Sequence, residues 1–198
     1  MNKEKTLKSR REEIMQAALA AYGEKGIFNT RIEEVAAAAG IGKGTVYEYF
    51  RSKEELMSAA IRYDMEELAK LVKVNADKVF TVHDKLKVMM ETVMLRRQEC
   101  RYNGFDVNPA VIGDSMKELR ALVQEQNTKW QSWLEEILET GVKSGEIRQI
   151  DPQLFLGAIL GAVMNMVRPM SKIDICSRSP AEVAECVTEF FFEGIRKR

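Results

Sequence analysis

The sequence predicts an all-α fold, an N-terminal three-helix helix-turn-helix domain followed by a larger helical domain. Three observations support this. Apolar residues recur at three- and four-residue spacing along most of the 198 residues. Capping residues stand ahead of those stretches, several with Glu three positions later. No stretch reads convincingly as a strand. Apolar content of 45% with 30% charged residues suits a chain that buries a core and excludes intrinsic disorder.

Ser9 with Glu12 has capping-box spacing and opens a helix through about Gly23, with Ile14, Ala17, Ala18, Ala21 and Tyr22 as its apolar stripe. Gly23 and Gly26 break it, and Ile27 and Phe28 return apolar side chains to the core. Thr30 then caps a second helix, with Glu33 completing the box and Ile32, Val35, Ala36 and Ala39 on one face. Gly40 stands where the chain must leave that helix through positive φ. Lys43 to Tyr49 follows as a helix too short to bury much of itself. Two short helices around a tight turn can lay the second in the major groove of DNA. The expected core of this domain, residues 1–52, is Ile14, Ala18, Phe28, Ile32, Val35, Val46 and Phe50.

The second domain, residues 53–198, begins with a helix capped by Ser52 and uninterrupted by Pro or Gly to about Asn75. Val82, Leu86, Met89, Met90, Val93 and Met94 mark the next helix, ending near Cys100. Residues 101–109 carry turn chemistry, and Ser115 opens a long helix through Leu138 that Gly141 and Gly145 end. Asp151-Pro152 starts a helix that is apolar nearly all round, and Ser179-Pro180 a last one with Val183, Val187, Phe190, Phe191 and Ile195 facing inward. An all-round apolar helix must be covered on every side. Gly157 and Gly161, one turn apart, allow close approach of another helix. Residues 153–167 and 181–196 are therefore the expected homodimer interface, a four-helix bundle with a twin copy; an ordinary monomer core is the alternative.

Formal net charge is zero, so overall balance says nothing of nucleic acid, but Lys3, Lys5, Lys8, Arg10 and Arg11 stand against Glu4 alone in a basic arm beside the short helices. Cys100, Cys176 and Cys186 are widely spaced, outside any metal-ligand pattern, and read as reduced thiols of a cytoplasmic protein. The charged start has no apolar signal core, and the longest uncharged run is shorter than the ~20 residues of a membrane span. His83, the single histidine, is expected to be exposed and without a special role. No catalytic constellation, metal site or cofactor motif is visible.

With these residues in place, the first 56 or so residues resemble the TetR family of transcriptional regulators. The resemblance rests on Thr30, Val35-Ala36, Ala39-Gly40-Ile41, Lys43-Gly44-Thr45-Val46-Tyr47, Phe50 and Lys53-Glu54-Glu55-Leu56. It implies an all-α homodimer that binds a double-stranded DNA operator, most often as a repressor, and whose second domain binds a small-molecule effector. Carried over position by position, Thr30, Lys43, Thr45, Tyr47, Tyr49 and Lys53 become DNA contacts. Lys43 and Thr45 would reach base edges, while the tyrosine hydroxyls and Lys53 would meet phosphates. Gly42 and Gly44 would let the backbone approach closely, and Arg31 is added from its position at the start of the second helix.

For an apolar or amphipathic effector, the candidate lining is Met90, Met94, Phe105, Gln126, Trp130, Phe155 and Met164, an adaptable Met-rich and aromatic set with one amide. Core packing is the plain alternative for each. A second function class stays open, a small-molecule binding or catalytic protein whose helix-turn-helix docks on another protein. The basic arm and the phosphate-competent side chains favour DNA.

Overall fold

A computed structural model describes residues 2–99, 117–166 and 178–197, with the side chains of 2–8, 97–99, 118, 160 and 163–166 excepted. Cys100, the turn at 101–109 with Phe105, the helix start at Ser115, Cys176 and the Met164 side chain lie outside what is described. Among the described residues there are eight helices: α1 (Asn2–Lys25), α2 (Ile32–Ala38), α3 (Lys43–Tyr49), α4 (Lys53–Ala76), α5 (Val82–Glu99), α6 (Lys117–Ser144), α7 (Pro152–Met166) and α8 (Pro180–Ile195). The chain divides into two compact units, Met1–Glu66 with Glu99–Val123, and Glu67–Gln98 with Gln124–Arg198, so both α4 and α6 contribute to each.

In the first unit, Ile14, Ala18, Val46, Leu56, Ala60, Ile61 and Leu119 are fully buried. α1 runs through both expected boundaries. The basic arm contains neither Pro nor Gly, so the backbone is already helical from Asn2 and the Ser9 cap has no helix start to serve. It ends at Lys25, where Gly26 adopts φ +83°. Phe28 is 58% exposed, and Ile27 takes the core position expected of it.

The cap of α2 also differs from expectation by one residue. Thr30 is 1% exposed, and its hydroxyl donates to the carbonyls of Gly26 (2.9 Å) and Ala21 (3.2 Å) at the end of α1. The Gly26 carbonyl also accepts the Thr30 backbone N–H at 3.2 Å, so Thr30 is tied back to the end of α1 rather than opening α2. The N-cap of α2 is Arg31, whose N–H donates to the Glu34 carboxylate at 2.8 Å. After α2, the Ile41 N–H donates to Ala36 at 2.9 Å and the Gly40 N–H to Ala37 at 3.1 Å. This is a Schellman turn with Gly40 at φ +65°. The turn reverses the chain into α3, which is anchored by fully buried Val46 and, just past its end, Phe50.

In the second unit, Leu86, Met90, Leu134, Leu138, Ile147, Leu156 and Ile159 form the innermost layer. Gly141 does not end α6. A Cβ there would lie 2.4 Å from Val82 Cγ2, so its role is close packing, and Gly145 at φ +80° terminates the helix instead. The Glu146 carboxylate then caps α5 from the far side of the sequence, accepting the N–H groups of Val82 (2.9 Å) and His83 (3.1 Å). α7 and α8 open as expected, on Asp151 Oδ1 and on the reciprocal Ser179–Glu182 box. Along α8 the inward row is Ala184, Thr188, Phe192 and Ile195, which turns Phe190 outward at 78% exposure. Phe190 thus fails as a core residue of its own chain. Leu154 on α7, at 74%, is exposed as well.

Candidate nucleic-acid interface and ligand cavity

α3 is held at both ends and open along one side. Arg11 of α1 donates to the Tyr49 carbonyl at 2.9 Å, lies 4.3 Å over the Phe50 ring and pairs with Glu55 of α4 at 3.5 Å. A helix C-terminus favours a cation, and here one guanidinium ties α1, α3 and α4 together. Arg11 was assigned to the basic arm; its contacts make it part of the scaffold. Only the long-range contact reveals that.

With Val46 fixing the inner side, Gly42, Lys43, Gly44 and Tyr47 are exposed, Thr45 is half-buried, and Tyr49 packs partly against the core. A Cβ at Gly42 or Gly44 would meet nothing within 4 Å among the described residues, so their packing does not require glycine at either place. The Lys43 ammonium pairs with Glu33 of α2 at 2.6 Å and lies 5.9 Å from the Tyr47 ring centroid. Each partner shifts the other: the hydrogen bond raises Lys43 above the usual lysine value and holds Glu33 below the usual carboxylate value. Arg31 is exposed at the start of α2. Lys53 donates to the Phe28 carbonyl at 3.1 Å, bracing the loop before α2. Thr30, with its hydroxyl turned inward, cannot present it to a ligand.

In the second unit, a cavity of about 430 Å³ is lined from α4 by Ala69, Lys70 and Lys73 and from α6 by residues that include Gln126, Trp130 and Trp133. Of the candidate ligand residues, Gln126 and Trp130 are there. Met90, Met94 and Phe155 are buried and do not line it. Their apolar side chains are consumed by helix packing, the plain alternative. The lysines of α4 were missed because exposed lysines at helical spacing carry no local signal.

His83 is also placed differently from expectation. Its side chain is only 22% exposed, with Nδ1 3.2 Å from Asp84, Nε2 3.1 Å from Glu189 and the ring edge-to-face with Phe192. Its ligand atom lies within 4.8 Å of those of Glu185 and Glu189, but the Lys87 ammonium sits on Glu185 and already supplies a cation there.

The family model described as bacterial regulatory proteins, tetR family, matches residues 14–60, which span the second half of α1 through the first turns of α4. The fatty acid metabolism regulator protein of Bacillus subtilis is 25% identical over 192 residues, covering 94% of this chain and 95% of its own. The solved structure of FadR from Bacillus subtilis in complex with stearoyl-CoA superposes with a TM-score of 0.77 at 23% identity, over 93% of this chain and 99% of that one. AibR in complex with isovaleryl coenzyme A and operator DNA superposes with a TM-score of 0.70 at 21% identity, over 92% and 98%. The order of α1 to α3, the turn at Gly40 and the matched residues agree: residues 14–60 form a helix-turn-helix domain of the bacterial tetR-family type, and the chain as a whole shares the fold of these regulators.

Proposed function

We propose that the protein is a ligand-responsive repressor that binds a palindromic operator as a homodimer and is released by a small amphipathic effector. The observation that carries the DNA half is the outer side of α3. Gly42, Lys43, Gly44 and Tyr47 face solvent on a helix locked by Val46, Phe50 and Arg11. Small residues without a packing purpose beside a lysine and a tyrosine suit close approach to a phosphate backbone and groove. Arg31, Thr45, Tyr49 and Lys53 complete the proposed contacts, and Thr30 is withdrawn from them.

The homodimer reading rests on α7 and α8. Leu154, Gly157, Ala158 and Gly161 of α7 and Phe190 of α8 are exposed, an apolar surface with small residues spaced one helical turn apart. Neighbouring structures hold acyl-coenzyme A ligands, which supports an effector with both apolar and charged parts. The effector acts by favouring a dimer conformation whose two reading helices fit the operator poorly, a shift between two populations. Footprinting on the DNA upstream of the protein's own gene tests this reading. Two protected half-sites about one helical turn (or a multiple) apart are expected; a single protected half-site, or none, contradicts it.

A further inference from the structure

The lining of the α4–α6 cavity names a ligand class. We propose that this cavity binds a planar aromatic anion, an aryl carboxylate, sulfonate or phosphate. This deepens the effector half of the regulator reading and does not depend on the DNA half. Gln126, Trp130 and Trp133 follow one another at helical spacing along one side of α6, so one face presents an amide and two indoles. The indoles stand edge-to-face at 5.7 Å and 80°, with Trp130 buried and Trp133 partly so, which leaves an aromatic wall.

Gln126 is 2% exposed, and its Nε2 has no hydrogen-bond partner among the described residues. A buried amide donor is costly unless an acceptor meets it. Gln126 lines the cavity, so a rotation of its side chain would offer this donor to an oxygen of the ligand. Opposite, Lys70 and Lys73 of α4 join Lys129 of α6, against the single lining acid Glu136. Lys70 and Lys129 are each oriented by a carboxylate one turn earlier, Glu67 and Glu125, both at 2.7 Å. A neutral apolar ligand would leave the amide unpaired and gain nothing from the lysines, of which Lys73 has no carboxylate beside it in the lining other than Glu136. The volume of about 430 Å³ suits a small ligand.

Trp130 and Trp133 are the chain's two tryptophans, so both indole signals in a proton–nitrogen correlation spectrum report on this one site. In the full chain, naphthoate should shift both indoles saturably, and the neutral naphthalenemethanol of the same shape should bind about ten-fold more weakly or worse. Lys73→Glu, a surface change, and Gln126→Met, near-equal in volume, should each weaken naphthoate binding several-fold. Gln126→Met should also melt at a higher temperature without ligand, because it removes the unpaired donor. Unmoved indoles, equal affinity for acid and alcohol, or naphthoate binding unchanged in either variant overturns the proposal. The DNA titration of the ligand-free wild type tests the regulator reading separately, so the two can fail independently.

Discussion

Arg11 and Tyr49 lie 38 residues apart, and the guanidinium of one donates to the backbone carbonyl of the other at 2.9 Å. The bond closes the C-terminus of α3 on α1, while the same side chain covers the Phe50 ring. The orientation of α3, the proposed reading helix, thus depends on a residue outside the two short helices and their turn.

Arg11→Ala should lower stability by about 1–2 kcal/mol, through loss of the hydrogen bond and the cation–π contact. It should also weaken DNA binding to cognate and random sequences alike. Urea denaturation beside a DNA titration checks both. Stability lost with affinity unchanged would mean that α3 keeps its pose without the anchor.

Under the proposed DNA reading, Glu33 competes with DNA for Lys43. The pair is exposed and screened by salt, so it is weak, but Lys43 must leave it to reach a base. Glu33→Gln should tighten binding roughly two- to five-fold at low salt and by less at high salt. Weaker binding would show that the carboxylate positions Lys43 rather than holding it back.

Gly141→Ala should cost about 1–3 kcal/mol by overpacking, because the new Cβ meets Val82 Cγ2 at 2.4 Å and Ile147 at 3.1 Å. Gly157→Ala meets nothing within 4 Å among the described residues of its own chain. Its melting temperature, compared at low and high protein concentration, shows whether the added methyl disturbs a partner copy. Leu154→Glu should give a folded monomer by sedimentation; a dimer that survives it would refute the α7–α8 interface.

Tyr22 is 3% exposed, and burial pushes its phenol above the usual tyrosine value. Above a pH of about 10, the unfolded chain ionises this phenol while the folded chain keeps it neutral. Its contribution is therefore intact below about pH 10 and is lost as pH rises toward the folded value, by up to roughly 1.4 kcal/mol per pH unit. Tyr22→Phe should be less stable by about 1 kcal/mol at neutral pH, and the gap should narrow or reverse by about pH 11. A gap constant with pH would contradict the burial assignment.

Helix existence was legible because its signals are local. The Ser52, Asp151 and Ser179 caps and the Gly40 turn are each read from a few neighbouring residues and stand where expected. The errors have non-local causes. Thr30 bonds back to the carbonyls of Ala21 and Gly26 at the end of α1 instead of capping α2, and Phe190 and Phe192 exchange roles because three consecutive phenylalanines leave helical phase undecided. Glu146 caps α5 from more than sixty residues away, a contact that spacing cannot encode. The exposure of Gly42, Lys43, Gly44 and Tyr47 on α3 follows from the motif, because Val46 and Phe50 alone take the inner positions. The cavity was half legible: the amide and the indole stand out in sequence, whereas the lysines opposite look like any solvated helix face.

Whether α3 reads DNA is decided by anisotropy titrations of the ligand-free chain with its upstream DNA and with a random duplex over a range of salt. Binding to both should weaken linearly on a log–log plot as salt rises, with the upstream sequence tighter. Lys43→Ala should remove about ten-fold of the preference between them, and Lys53→Ala should flatten the slope by about one unit for both. Absence of binding to either duplex at low salt, or a Lys43→Ala effect equal on both, would contradict the account.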